Sequence, residues 1–192
     1  IFFEQLIFNH IIYNIFNLIL LYIYYIIILK IYGVIMSDLL ENMKAPYFTS
    51  DRDGGSLIDT SLLSSPYIIY FYPKDDTPGC TKEAIEFSKE SNFFLKNNIS
   101  VIGVSKDNVV KHDKFILKHN LNIILASDLS GEICDLFGVW VEKSMYGRKY
   151  MGIERSTFLI SAENIIYKVW RKVKVNNHVN EVIEHSKAML NI

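Results

Sequence analysis

The chain has 192 residues, 50% hydrophobic and 21% charged, enough for one ordinary domain with a buried core and little left over for a second. Twenty basic against 21 acidic residues give a net charge of −1, without the basic excess of a nucleic-acid binder or of a protein held on anionic lipid. Two cysteines, Cys80 and Cys134, are too few for a disulfide scaffold, and they form neither a CxxC pair nor a zinc-ligand spacing.

Residues 1–35 stand apart, with 12 Ile, 5 Leu, 5 Tyr and 4 Phe, and with Glu4 and Lys30 as their only charges. The unbroken apolar run over 18–29 is 12 residues, short of the roughly 20 that a spanning helix needs. Extension back to Ile11 reaches membrane length only by including Asn14 and Asn17. Three readings are open. A secretory signal would want a basic start and a small-residue cleavage site, and neither is present before Met36. A membrane anchor through 11–29 would put Lys30 at one end but Tyr22, Tyr24 and Tyr25 deep in the bilayer. Translated upstream sequence fits the A/T-rich-codon bias, since 25 of the 35 residues are Ile, Phe, Tyr, Asn or Lys, and makes Met36 the natural start. That third reading is adopted: 1–35 is a hydrophobic leader outside the functional domain, which is expected over 36–192 of a cytoplasmic protein.

From Met36 onward, Asp53-Gly54-Gly55 reads as a tight turn, a hairpin between Tyr47-Phe48-Thr49 and Leu57-Ile58. The β-branched and aromatic run 67–72 (YIIYFY), ended by Pro73, predicts a buried central strand. Over 78–96, Ala84, Phe87, Ser88, Ser91, Phe94 and Leu95 fall at helical spacing with charges between them. Strands are expected at 99–104 and 123–126, separated by a helix over 109–119, and a short helix at 131–137. Two strands, 156–161 and 165–171, flank an Ala162-Glu163-Asn164 turn, and an amphipathic helix over 179–190 closes the chain. The alternation predicts an α/β domain whose central sheet is covered on both faces, compatible with a thioredoxin-like layout.

Chemistry concentrates at Pro73-Lys74-Asp75-Asp76-Thr77-Pro78-Gly79-Cys80, between the central strand and the long helix. Thr77 suits an N-cap and Pro78 the first helical position, so Cys80 falls in the first turn. The free N–H groups and the helix dipole favour an anion there, and the thiolate is the reactive form of cysteine. The competing reading is that Cys80 is a small buried packing residue. Its polar loop at a strand-to-helix junction, where α/β sheets gather their sites, favours reactivity.

The segment PKDDTPGCTKE, followed much later by GIERSTFLI, resembles the peroxiredoxin family, in particular its bacterioferritin-comigratory or Q-type branch. Similar features continue through Gly103-Val104-Ser105, Ser127-Asp128, Phe137-Gly138-Val139-Trp140 and the tail over 169–178, so the resemblance spans roughly 45–190. It implies a thioredoxin-like fold with a central mixed sheet flanked by helices. It also implies a thiol peroxidase that reduces hydrogen peroxide and organic hydroperoxides without a cofactor or metal, in antioxidant defence. On the same ground Cys80 matches the peroxidatic cysteine and Thr77 the hydroxyl beside it. Arg155 matches the arginine that holds thiolate and peroxide together, and Pro73 the proline that shields the cysteine. Read alone, Thr77 is equally an N-cap, Pro73 a strand terminator and Arg155 a surface cation.

Many Q-type members carry a resolving cysteine five residues after the peroxidatic one; here that position is Ile85. Cys134, flanked by Ile133 and Leu136, reads as a packing residue. The expected mechanism is therefore 1-Cys, in a monomer, with thioredoxin or another external thiol as reductant. His112, His119, His178 and His185 lack partners for a metal set and read as solvated or core-edge residues. Lys168, Arg171, Lys172 and Lys174 are too few to argue for nucleic acid. Two rival functions are weighed: a thiol–disulfide oxidoreductase, against which the absent CxxC counts, and a non-catalytic holdase.

Overall fold

The computed structural model describes residues 39–145 and 147–192, so the leader expected over 1–35 lies outside the described residues. Among the described residues, nine strands and five α-helices follow one another, with short 3-10 turns at Asp53–Gly55 and Thr60–Leu62. Seven strands form one mixed sheet in the order β2-β1-β5-β4-β3-β8-β9. Its centre is β3 (Tyr67–Phe71), parallel to β4 (Ser100–Ser105) on one side and antiparallel to β8 (Ser156–Ile160) on the other. The strand β5 (Ile124–Ser127) pairs parallel with β4, and β9 (Ile166–Trp170) closes the far edge. The expected first hairpin is β1 (Thr49–Arg52) with β2 (Ser56–Asp59).

Every residue of β3 is buried, so the two-residue alternation of a strand feeds two separate cores. Tyr67, Ile69 and Phe71 join Cys134, Phe137 and Phe158 on one face. Ile68, Tyr70 and Tyr72 join Cys80, Ala84, Phe87 and Val182 on the other. Full burial of such side chains contributes roughly 2 kcal/mol each, which is why this apolar run takes the centre of the sheet. Gly103 makes the second core possible: it pairs with Tyr70 across β3 and β4, and a Cβ there would lie 2.6 Å from the Tyr70 ring.

The helix expected over 78–96 is two helices, α1 (Pro78–Lys89) and α2 (Ser91–Lys96), broken at Glu90, where φ is −91° and ψ 9°. The break turns Leu95 out to solvent, against the apolar face read from its spacing. The helix α3 (Val109–His119) lies where the sequence puts it, and α4 (Glu132–Leu136) and α5 (His178–Leu190) within a residue of theirs. A second departure is the antiparallel pair β6 (Trp140–Met145) and β7 (Arg148–Ile153), for which the sequence reading assigned nothing. Its strands carry Glu142, Lys143, Arg148 and Lys149, and Arg148 to Met151 are exposed, so no apolar alternation announces them. The histidine reading also fails in two places: His112 and His178 are buried, each with a hydrogen-bonding partner. Among the described residues, no helix is long and apolar enough to cross a membrane.

Candidate active site

The ladder between β3 and β8 ends with Phe71 opposite Ser156. That register carries the next residue on β8's side, Arg155, to the end of β3 where the loop to α1 begins. Pro73 lies exposed at this point, ending the strand; a proline cannot donate to a further ladder bond. Thr77 occupies the N-cap position with extended backbone, φ −98° and ψ 151°, and Pro78 follows as the first helical residue. Cys80 is then the third residue of α1 and is 2% exposed.

The structure joins two of the four expected site residues directly. Arg155 Nη2 donates to Cys80 Sγ at 3.2 Å, across 75 positions of sequence. Thr77 does not cap with its side chain: its hydroxyl donates to the carbonyl of Lys74 at 3.1 Å, bracing the loop across one turn. The first-turn N–H groups of α1 therefore keep no side-chain acceptor at the N-cap, and the nearest cation is Arg155.

Glu83, one turn after Cys80, was not singled out from the sequence. It is fully buried, and one carboxylate oxygen accepts from Arg155 Nη1, while Oε1 has no partner among the described residues. Arg155 is thereby held from two sides, with one nitrogen on the carboxylate and the other on the sulfur, the fork geometry that lysine lacks. Burial pushes the Glu83 carboxyl up to about 7, with the charge of Arg155 and its hydrogen bond pulling the other way. Burial alone would lower Arg155, but the charges of Glu83 and Cys80 outweigh it and hold the guanidinium more firmly protonated. The signal available in the sequence was an acidic residue at i+3 from Cys80 on the helix face that also carries Phe87.

Two more groups border the site. His178 accepts from or donates to Thr157 Oγ1 at 2.8 Å, and burial, with Arg155 adding, lowers it to about 4, so the ring is neutral. Lys143 of β6 donates to the Ile153 carbonyl at 2.5 Å, and burial, then the charge of Arg155, lowers its ammonium. Among the described residues, no three His, Cys, Asp or Glu side chains are grouped to hold a metal ion.

Cys134 belongs to the opposite core from Cys80, across the sheet. It is completely buried in α4, its N–H donates to Asp128 Oδ2 at 2.8 Å, and burial, then the Asp128 carboxylate, push its thiol well up. The arrangement supplies one cysteine with an adjacent fixed cation and one buried beside a carboxylate that favours its protonated form.

A sequence profile of the AhpC/TSA family matches residues 42–169. A putative peroxiredoxin bcp of Coxiella burnetii is 48% identical over 141 residues, 73% of this chain and 93% of the relative. Peroxiredoxin Bcp of Bacillus subtilis is 46% identical over 147 residues, 76% of this chain and 94% of the relative. Among solved structures, the Xylella fastidiosa PrxQ cysteine-to-serine mutant aligns with a TM-score of 0.76 at 35% identity, over 80% of this chain and 98% of that one. The Xanthomonas campestris bacterioferritin comigratory protein aligns at 0.71 and 40% identity, over 74% of this chain and 91% of that one; that structure concerns alkyl peroxide reduction through a trapped intermediate.

Proposed function

Because this chain belongs to the AhpC/TSA family, we propose that the Cys80–Arg155 pair is the working centre of a peroxiredoxin, a thiol peroxidase of antioxidant defence. The observation that carries the assignment of residues is the 3.2 Å contact between Arg155 Nη2 and Cys80 Sγ in the first turn of α1. The substrates are hydrogen peroxide and organic hydroperoxides. The Cys80 thiolate attacks the nearer peroxide oxygen; an S–O bond forms as the O–O bond breaks, and the departing oxygen takes up the thiol's proton as water or alcohol. Arg155 steadies the thiolate and the charge that grows on the leaving oxygen, with Glu83 fixing the guanidinium for that work. Pro73 screens the sulfur from water, and Thr77 supports the loop and offers its hydroxyl to the peroxide.

The resulting sulfenic acid is the first rung of cysteine oxidation and returns to thiol through two reducing thiols, with loss of water. Cys134 stands across the sheet from Cys80 and does not serve as resolving partner. Thioredoxin or another external thiol takes that place, in a 1-Cys cycle of a monomer. Two unpaired thiols fit a reducing, cytoplasmic compartment. The functional domain is 36–192.

The test is intact-mass analysis after one equivalent of hydrogen peroxide, beside a turnover assay with thioredoxin. The unmodified chain should gain one oxygen atom and consume peroxide. Cys80→Ser should do neither while keeping its fold; retention of more than a few per cent of the activity would remove Cys80 from the centre.

A further inference from the structure

The loop that carries Pro73 to Thr77 is gripped from outside the site by α3. We propose that this grip, centred on Asp75 and His112, is a latch that keeps the first turn of α1 wound and Cys80 ready for peroxide. The proposal rests on the reading of Cys80 as the nucleophile.

Two successive loop carboxylates reach across to α3. Asp75 is buried; Tyr72 Oη donates to its Oδ1 at 2.7 Å, and His112 Nδ1 lies 2.8 Å from its Oδ2. The backbone N–H of Asp75 donates to Asp107 Oδ2 at 2.8 Å, and Asp107 is itself fixed by Lys111 at 3.0 Å and Ser105 at 3.1 Å. Burial alone would raise the Asp107 carboxyl, but those donors outweigh it and hold it below the usual carboxylate range, a charged anchor for the loop. Asp76, in left-handed backbone at φ 57°, meets Lys118 at 2.5 Å and His119 at 2.8 Å, two turns further along α3. The loop therefore lies along the helix, tied by one buried and one exposed carboxylate.

His112 is the informative member. It is 0% exposed, and its Nε2 has no partner among the described residues. Among the described residues, the single polar contact of this buried ring is with the loop that leads to Cys80. A buried polar pair of this kind adds less stability than apolar packing of the same volume, and its use is to fix one arrangement. That arrangement matters because Cys80 is 2% exposed, whereas a sulfenic acid resolved by an external thiol must come within reach of it. The loop and the first turn of α1 have to open in each cycle, and the latch sets the balance between the closed form that meets peroxide and the open form that meets the reductant. Asp75 and His112 are positioning residues; neither touches the sulfur.

The experiment uses the full chain with His112→Leu, His112→Asn and Lys118→Ala. Three rates are measured on each: reduced enzyme with hydrogen peroxide, alkylation of Cys80 by iodoacetamide, and amide exchange over residues 73–81, which include the Thr81 N–H bonded to the Thr77 carbonyl. His112→Leu should slow the peroxide step about tenfold and speed alkylation and exchange about tenfold, the scale of one buried hydrogen bond to a charged group. His112→Asn keeps a donor where Nδ1 stands against Asp75 and should restore most of all three. Lys118→Ala removes the exposed tie to Asp76 at a helical position that accepts alanine; it should move the rates in the same opposed directions by about twofold, and decides the matter if His112→Leu fails to fold. Peroxide and alkylation rates that fall together, or that stay at the parent values, would overturn the latch. Failure of the peroxidase reading itself shows separately, as peroxide consumption surviving Cys80→Ser, and the exchange rates over 73–81 still judge the latch in that case.

Discussion

Glu83 and His178 both feel the charge of Arg155, and their burial gives folding stability a pH dependence whose two halves oppose each other. The Glu83 carboxyl rises from 4.5 to about 7 in the folded chain, so between those values the native state holds a proton that the unfolded chain has released. Stability must then fall as pH rises through that window. His178 runs the other way: its folded value drops from 6.5 to about 4, the unfolded chain holds the extra proton, and stability rises with pH over that range. At about 1.4 kcal/mol per tenfold change in proton affinity, each contribution amounts to about 3 kcal/mol, and between pH 4.5 and 6.5 they largely cancel. Carboxyls held below their ordinary values, such as Asp107, act below that window. The parent chain should therefore show a nearly flat stability curve there. His178→Gln, which keeps a hydrogen bond to Thr157, should lose about 3 kcal/mol as pH rises from 4.5 to 6.5; Glu83→Gln should gain about as much. Urea unfolding at several pH values reads this directly. Curves for the two variants that run parallel to the parent would refute the assignment of buried, oppositely perturbed neighbours of Arg155.

Arg155→Lys should lower the second-order rate constant with peroxide roughly a hundredfold, because a point charge does not reproduce two donors aimed at Glu83 and Cys80. A competition assay giving a rate within about twofold of the parent would place Arg155 outside the chemistry. Cys134→Ser should keep turnover with thioredoxin, and peroxide-treated parent chain should show no Cys80–Cys134 disulfide by mass; loss of two hydrogens that depends on Cys134 would contradict the 1-Cys cycle. Residues 36–192 alone should be soluble, folded and active. If they aggregate while the full chain partitions cleanly into membranes, the anchor reading of 11–29 takes over.

Most of the sheet was readable because its strands are extreme in composition. The run over 67–72 and the strands around Val101 and Phe158 are apolar on both sides, and only a doubly covered sheet accommodates that pattern. The hairpin of β6 and β7 was not readable for the opposite reason: Glu142, Ser144 and Arg148 to Met151 face water, and pairing of the two strands with each other is what defines them. At the site, the proposed nucleophile and the distant arginine that meets it were legible through a spaced motif. Glu83, Asp75 and His112 were not. Each is a charged or titratable residue whose composition suggests a solvated face, and only the approach of β8 and α3 turns them inward. Long-range contacts of this kind leave no local period to read.

The two cysteines show how little the helix position alone decides. Cys80 is the third residue of α1, and Cys134 is the third residue of α4. In α4 the anion's place is already taken: Asp128 accepts the N–H groups of Gly131, Ile133 and Cys134 at 3.0, 3.2 and 2.8 Å. Burial first, and then the carboxylate already in place, push the Cys134 thiol up and disfavour a second negative charge there. In α1 the residue that could have capped, Thr77, turns its hydroxyl to Lys74 and leaves the first turn open. Arg155, delivered by the end of β8, completes the difference. Complete burial and a capping carboxylate together hold Cys134 as a packing thiol. A diverted cap and an imported cation set the proposed nucleophile apart from it, and the sheet lies between their cores.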